Sequence, residues 1–112
     1  MTTIEKGSKL LTLINVFTVE PEKQRQLVSL LIEATEKTMQ HLPGFVSANI
    51  HRSLDGKRVV NYAQWESMAT FEAMRKNPDA MPHMKAAAEL AQFEPILCEV
   101  SDAFSIDRTR ST

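Results

Sequence analysis

The sequence predicts an α+β domain of the ferredoxin-like type, β-α-β-β-α-β, with an antiparallel four-stranded sheet. Three observations carry this. Four apolar segments with strand character alternate with two helical regions. A hairpin signal, Asp55-Gly56, joins the middle two strands. The two β-α-β halves on either side of that hairpin form the split β-α-β arrangement.

Each element has its own sequence signal. The run LLTLINVFTV, from Leu10 to Val19, is apolar and rich in β-branched residues, and predicts the first strand. Glu20-Pro21-Glu22 starts a helix, because proline suits the first helical position and acids suit the positive end of the helix dipole. Apolar residues at 27, 31, 34 and 42, flanked by Val28 and Ile32, predict that helix over Glu22 to Leu42, ended by Pro43-Gly44. Phe45 to Leu54 and Arg58 to Glu66 are the second and third strands. Ser67 caps a helix beginning at Met68, Asn77-Pro78 interrupts it, and a further helical piece covers Met81 to Ala91. Pro95 to Ile106 is expected to be the last strand. Residues 8–106 form a single domain, with 1–7 and 107–112 as flexible ends.

Composition excludes several function classes. The 13 basic and 14 acidic residues nearly cancel and form no stripe, so no nucleic-acid partner is expected. No apolar run spans a bilayer, and the polar start from Met1 to Lys9 has no signal-peptide core, so a cytoplasmic protein without a membrane partner is expected. Cys98 is the sole cysteine and reads as core. The three histidines are scattered, with no metal-ligand spacing, so no metal site is expected. Glycine occurs only at 7, 44 and 56, which leaves neither a dinucleotide fingerprint nor a phosphate loop.

Strand alternation divides the sheet into two apolar faces. Leu11, Leu13, Asn15, Phe17 and Val19 share one face of the first strand, and Val59, Asn61, Ala63 and Trp65 share one face of the third. Both helices pack on one side of a split β-α-β sheet. The other side would then expose Ile14, Val16, Val46, Ile50, Val60 and Tyr62, which points to a homodimer through the sheet face.

Asn15 and Asn61 are the candidate chemical groups, because a carboxamide in an apolar strand needs either a protein partner or a ligand. Trp65 stands four residues from Asn61 on the same face, and Phe17 near Asn15. Met68, Phe71, Met74, Met81 and Met84 would complete an adaptable apolar wall, with His83 facing it. The alternative reading is structural: the asparagines bond each other, a bulge or a trapped water.

The segments LINVFTVEPEKQ, HLPGFVSANIHRSLDG, VVNYAQWES and FEPILCEV make the chain similar to the antibiotic biosynthesis monooxygenase family of dimeric α+β barrel proteins. The resemblance runs from about Leu10 to Phe104, and VVNYAQWES is its most specific part. It implies oxidation of a small aromatic or polyketide-like substrate by O2, phenol or anthrone to quinone, with no cofactor. It also implies Asn15, Asn61 and Trp65 as catalytic residues; from the strand faces and the helical wall, Phe17, Phe71, Met74, His83 and Met84 are expected to line the substrate site. Some members have a tyrosine where this chain has Phe71. Others have an arginine on the later helix, where this chain offers Lys85. The alternatives on the same scaffold are a haem-degrading monooxygenase, with His83 toward iron, and an isomerase or non-catalytic binding protein.

Overall fold

A computed structural model describes residues 1–106; the expected flexible end at 107–112 lies outside the described residues. Strands β1 (Leu11–Val19), β2 (Phe45–Arg52), β3 (Arg58–Trp65) and β4 (Ala91–Cys98) form one antiparallel sheet in the order β2-β3-β1-β4. Helices α1 (Gln24–Lys37), α2 (Met68–Lys76) and α3 (Met81–Leu90) connect them. This is the ferredoxin-like α+β fold that the sequence predicts.

The helices cover one face of the sheet. Leu13, Ala63 and Trp65 from β1 and β3 pack with Phe71, Met74 and Ala80. Four residues further along the same strands, Phe17 and Val59, with Val19, pack with Leu27 and Ala87. Leu27 and Val59 are fully buried. The core therefore has two apolar clusters, and the gap between them falls at the positions of Asn15 and Asn61.

Local chemistry fixes the connections. Ser67 closes a capping box at the start of α2: its hydroxyl accepts from the Thr70 amide at 3.2 Å, and Thr70 Oγ1 accepts from the Ser67 amide at 3.1 Å. Gly44, at φ 84°, turns the chain into β2 directly against Thr70. In the β2–β3 hairpin, Asp55 Oδ1 accepts from the Ser53 hydroxyl at 2.7 Å and from the Lys57 amide at 2.9 Å. These bonds hold the Asp55 carboxyl below its ordinary range, the Ser53 hydroxyl contributing most.

The structure departs from the sequence reading in five places. The helix expected over Glu22 to Leu42 is three pieces: a 3-10 turn at Pro21–Lys23, then α1, then a second 3-10 turn at Met39–His41. Thr38, at φ −130° and ψ −63°, leaves the helix, and its side chain turns to His83. The last strand runs Ala91–Cys98, not Pro95 to Ile106. Its length is set by β1: Val19 pairs with Ala91 and Thr12 with Cys98, and β1 begins one residue before Thr12. Pro95 is tolerated because β4 is an edge strand.

The other three departures concern side-chain placement. Ile50 faces the helices, opposite Asn61, not the open side. A bulge between Phe45 and Ser47 shifts the alternation of β2 by one residue. Cys98 is half-buried and pairs with Thr12, so it lies on the open face and is not core. Met68 and Met81 are exposed, at 49% and 53%, and do not line the interior.

The open face of the sheet carries Ile14, Val16, Val60 and Tyr62, all half-buried, and Ile96, which is exposed. The N-terminal segment lies over one end of it. Asn49 Nδ2 donates to Thr2 Oγ1, and Gln64 Nε2 donates to the Thr3 carbonyl at 2.7 Å. Gln64 Oε1 in turn accepts from the Ser47 hydroxyl at 2.7 Å, which explains how Gln64 is buried without loss of its hydrogen bonds.

Candidate active site

Asn15 and Asn61 are direct neighbours across β1 and β3, in register, and both project to the helix side. Pro95 of β4 stands opposite Asn15 on its other flank. The two asparagines occupy the gap between the apolar clusters, and the gap is a real space. A cavity of about 150 Å³ lies between sheet and helices, open to solvent on one side.

All eight site residues chosen from the sequence line this one cavity: Asn15, Phe17, Asn61, Trp65, Phe71, Met74, His83 and Met84. The wall is mostly aliphatic and aromatic. Phe45 meets Trp65 edge-on, with ring centroids 5.6 Å apart, and fixes the indole plane. Phe17 meets Phe93 of β4 at 5.7 Å. Phe93 and Pro95 are exposed as well as lining, so they mark the mouth.

Three polar atoms on the sheet side of the cavity are unusual in being unsatisfied. Oδ1 of Asn15, Oδ1 of Asn61 and Nε1 of Trp65 are buried and have no hydrogen-bond partner. The two asparagine oxygens therefore do not accept from each other's amides. Each such group costs about 1–3 kcal/mol in a folded protein. Three of them in one small apolar space is the pattern of a site that a ligand completes.

His83, half-buried at the start of α3, is oriented by Thr38, with Nε2 and Thr38 Oγ1 at 3.0 Å. The charged groups around it come from two helices. Arg75 of α2 lines the same cavity. Glu33 of α1 is close enough for His83 to contribute to its lowered pKa, although Lys37, which donates to Glu33 at 2.8 Å, is the larger cause.

Three residues at or beside the site were missed in the sequence reading. Arg75 follows Phe71 by four residues, so a helical wheel would have placed it on the cavity side. Lys85, named in its stead, is exposed and does not line the cavity. Thr35 also lines the cavity, its hydroxyl donating to the Leu31 carbonyl at 2.8 Å. Thr38 had no local signal, since its role depends on a residue 45 positions away.

The family model described as antibiotic biosynthesis monooxygenase matches residues 10–90. The chain belongs to that family. The tetracenomycin F1 monooxygenase of Streptomyces glaucescens is 49% identical over 104 residues, which cover 93% of each chain. This antibiotic biosynthesis monooxygenase family member is accordingly an enzyme of the monooxygenase class. Among solved structures, a monooxygenase from the gene ActVA-Orf6 of Streptomyces coelicolor, in complex with the ligand nanaomycin D, superposes with a TM-score of 0.79. It is 28% identical, over 87% of this chain and 92% of that one. SnoaB, a cofactor-independent oxygenase from Streptomyces nogalater, superposes with a TM-score of 0.70 at 24% identity, over 86% of this chain and 97% of that one. The SnoaB likeness bears on the family fold alone.

Proposed function

We propose that this chain oxidises a polycyclic phenol or anthrone of the polyketide type to a quinone, using dioxygen and no bound cofactor. The observation that carries this reading is the convergence of Asn15, Asn61 and Trp65, each with a buried unpartnered polar atom, in one apolar cavity. The relatives support it by what they are named for: a tetracenomycin F1 monooxygenase, and a monooxygenase holding nanaomycin D.

The chemistry asks little of the protein. Dioxygen is a triplet and reacts slowly with closed-shell molecules, but an electron-rich carbanion or phenolate can pass it one electron. The resulting carbon radical and superoxide combine, forming a C–O bond. The hydroperoxide then loses water, breaking the O–O bond and leaving a carbonyl. For an anthrone, CH2 and O2 become C=O and H2O; carbon loses four electrons and dioxygen gains them.

The residues divide the remaining tasks. The asparagine oxygens accept hydrogen bonds from substrate hydroxyls. After a half-turn about χ2, a carboxamide instead presents its NH2 to an oxyanion. Such preorganised donors in a dry site lower barriers by a few kcal/mol. Trp65 Nε1 donates to a substrate carbonyl, and its plane holds the rings. His83, oriented by Thr38, takes the substrate proton. The apolar wall keeps water from the carbanion.

The acting unit is a homodimer joined through the open sheet face, where Ile14, Val16, Val60 and Tyr62 lack a helical layer of their own. Ile14→Glu is expected to give monomers by analytical ultracentrifugation; unchanged mass would reject this interface. The protein acts in the cytoplasm. No helix among the described residues is long and apolar enough to cross a membrane.

The test of the reaction is turnover under isotopically labelled dioxygen. One labelled atom in the new quinone carbonyl and one in water is the expected outcome. A product without label would reject the proposal.

A further inference from the structure

We infer that Cys98 and Thr12 form a peroxide-reactive modification site on the open face of the sheet. Cys98 takes one oxygen atom from hydrogen peroxide, and Thr12 holds the resulting sulfenic acid.

The two residues are direct neighbours across β1 and β4, at the end of the face away from the cavity. Side chains paired in this way have β-carbons about 5 Å apart. Thr12 is only 3% exposed, yet its Oγ1 has no hydrogen-bond partner. The rest of its row is satisfied. Gln64, which pairs with Thr12 on the other flank, accepts from the Ser47 hydroxyl and donates to the Thr3 carbonyl, both at 2.7 Å. The N-terminal segment runs across this end of the face: Thr2 bonds Asn49, Thr3 bonds Gln64, and Lys6 pairs with Asp102 at 3.4 Å beyond β4.

Cys98 differs from Thr12 in being half-buried, and its Sγ makes only a loose contact with the Ile96 carbonyl at 3.8 Å. A small oxidant can therefore reach the sulfur, while bulk water does not reach the hydroxyl beside it. The thiol itself does not bond Thr12. An oxygen added to sulfur extends the side chain by one atom, and Thr12 Oγ1 is the open group placed to receive it.

The step balances as a simple displacement. The Cys98 thiolate attacks one oxygen of hydrogen peroxide; an S–O bond forms, the O–O bond breaks, and hydroxide leaves as water after taking a proton. Sulfur loses two electrons and peroxide gains them. The oxygenase reading supplies a source, because superoxide that escapes the cavity dismutates to hydrogen peroxide. The site itself does not depend on that reading.

The test exposes wild type to hydrogen peroxide, removes the peroxide with catalase, and adds dimedone only after a delay. Dimedone labels sulfenic acid and leaves oxidised methionine alone; mass spectrometry of the Cys98 peptide reads the label. Wild type is expected to keep most of its oxidised Cys98 dimedone-reactive through the delay. Thr12→Val should lose free thiol at the same rate but retain severalfold less label, with sulfinic acid in its place. Thr12→Ser should behave as wild type, and Cys98→Ala should take no label. Removing an unsatisfied hydroxyl while keeping its shape is near neutral for folding, and thermal melting checks this.

Equal persistence of the label in wild type and Thr12→Val would overturn the inference, since Thr12 would then have no part in holding the oxidised sulfur. So would a Cys98 thiol that peroxide leaves unreacted in the folded protein but oxidises in the unfolded chain. Neither result bears on the oxygenase reading, which turns on the opposite face of the sheet.

Discussion

Asn15 and Asn61 face each other across β1 and β3, and neither carboxamide oxygen has a partner. The pair sits where two apolar clusters would otherwise join into one core. Stability is lost at this position for the sake of a cavity, which makes the site's residues separable from the fold's.

Asn61→Leu tests that separation. Replacing an unsatisfied buried amide by an apolar group of similar shape is near neutral or stabilising. Chemical denaturation should therefore show unchanged or slightly higher stability. Loss of one oxyanion donor costs about a hundred- to a thousandfold in kcat. Activity and stability moving down together would mean that Asn61 is structural.

Thr38→Val removes the hydroxyl that orients His83 and keeps the side-chain shape. We expect kcat to fall severalfold and the pH–rate profile to change, while His83→Ala should lower kcat further. A Thr38→Ser variant should retain the wild-type profile. An unaltered profile in Thr38→Val would remove the orienting role.

Gly44→Ala should be among the most destabilising single changes. A β-carbon there would overlap the Thr70 side chain, and φ is 84°, a conformation that alanine adopts only with strain. Thr70 cannot yield without opening the capping box of α2. A loss of about 2–4 kcal/mol is expected from the combined clash and strain, read by urea denaturation.

Asp55 gives the pH dependence of the hairpin a sign. Its folded-state pKa lies below the ordinary value of 3.8, because the Ser53 hydroxyl and the Lys57 amide bond to the charged form. Its contribution to stability is complete above that ordinary value and disappears as pH falls through the lower, folded-state value. Asp55→Asn should flatten the acid limb of the stability curve, because the variant lacks the contribution that Asp55 makes near neutrality and loses on acidification. A steeper acid limb in the variant would contradict the assignment.

The sequence made the sheet legible because alternation and the Asp55-Gly56 turn are local signals. It also brought out the eight cavity residues, since Asn61 and Trp65 share a strand face and the methionine and phenylalanine positions recur at helical spacing. What stayed hidden was set by long-range partners. The end of β4 depends on where β1 begins, and the side taken by Ile50 depends on a one-residue bulge against β3. Thr38 leaves α1 to meet His83, 45 residues away. Arg75, four residues after Phe71, is within reach of helical periodicity, whereas Lys85 on the later helix is exposed and off the cavity.

The central claim is oxidation at the asparagine–tryptophan cavity without a cofactor. Its most direct test is oxygen uptake with an anthrone substrate in the presence of a metal chelator, for wild type, Asn61→Ala and Trp65→Phe. The account predicts stoichiometric uptake and quinone formation by wild type, with a sharp fall in both variants while the fold persists. Uptake no faster than the enzyme-free rate, or uptake that the two substitutions leave unchanged, would contradict it.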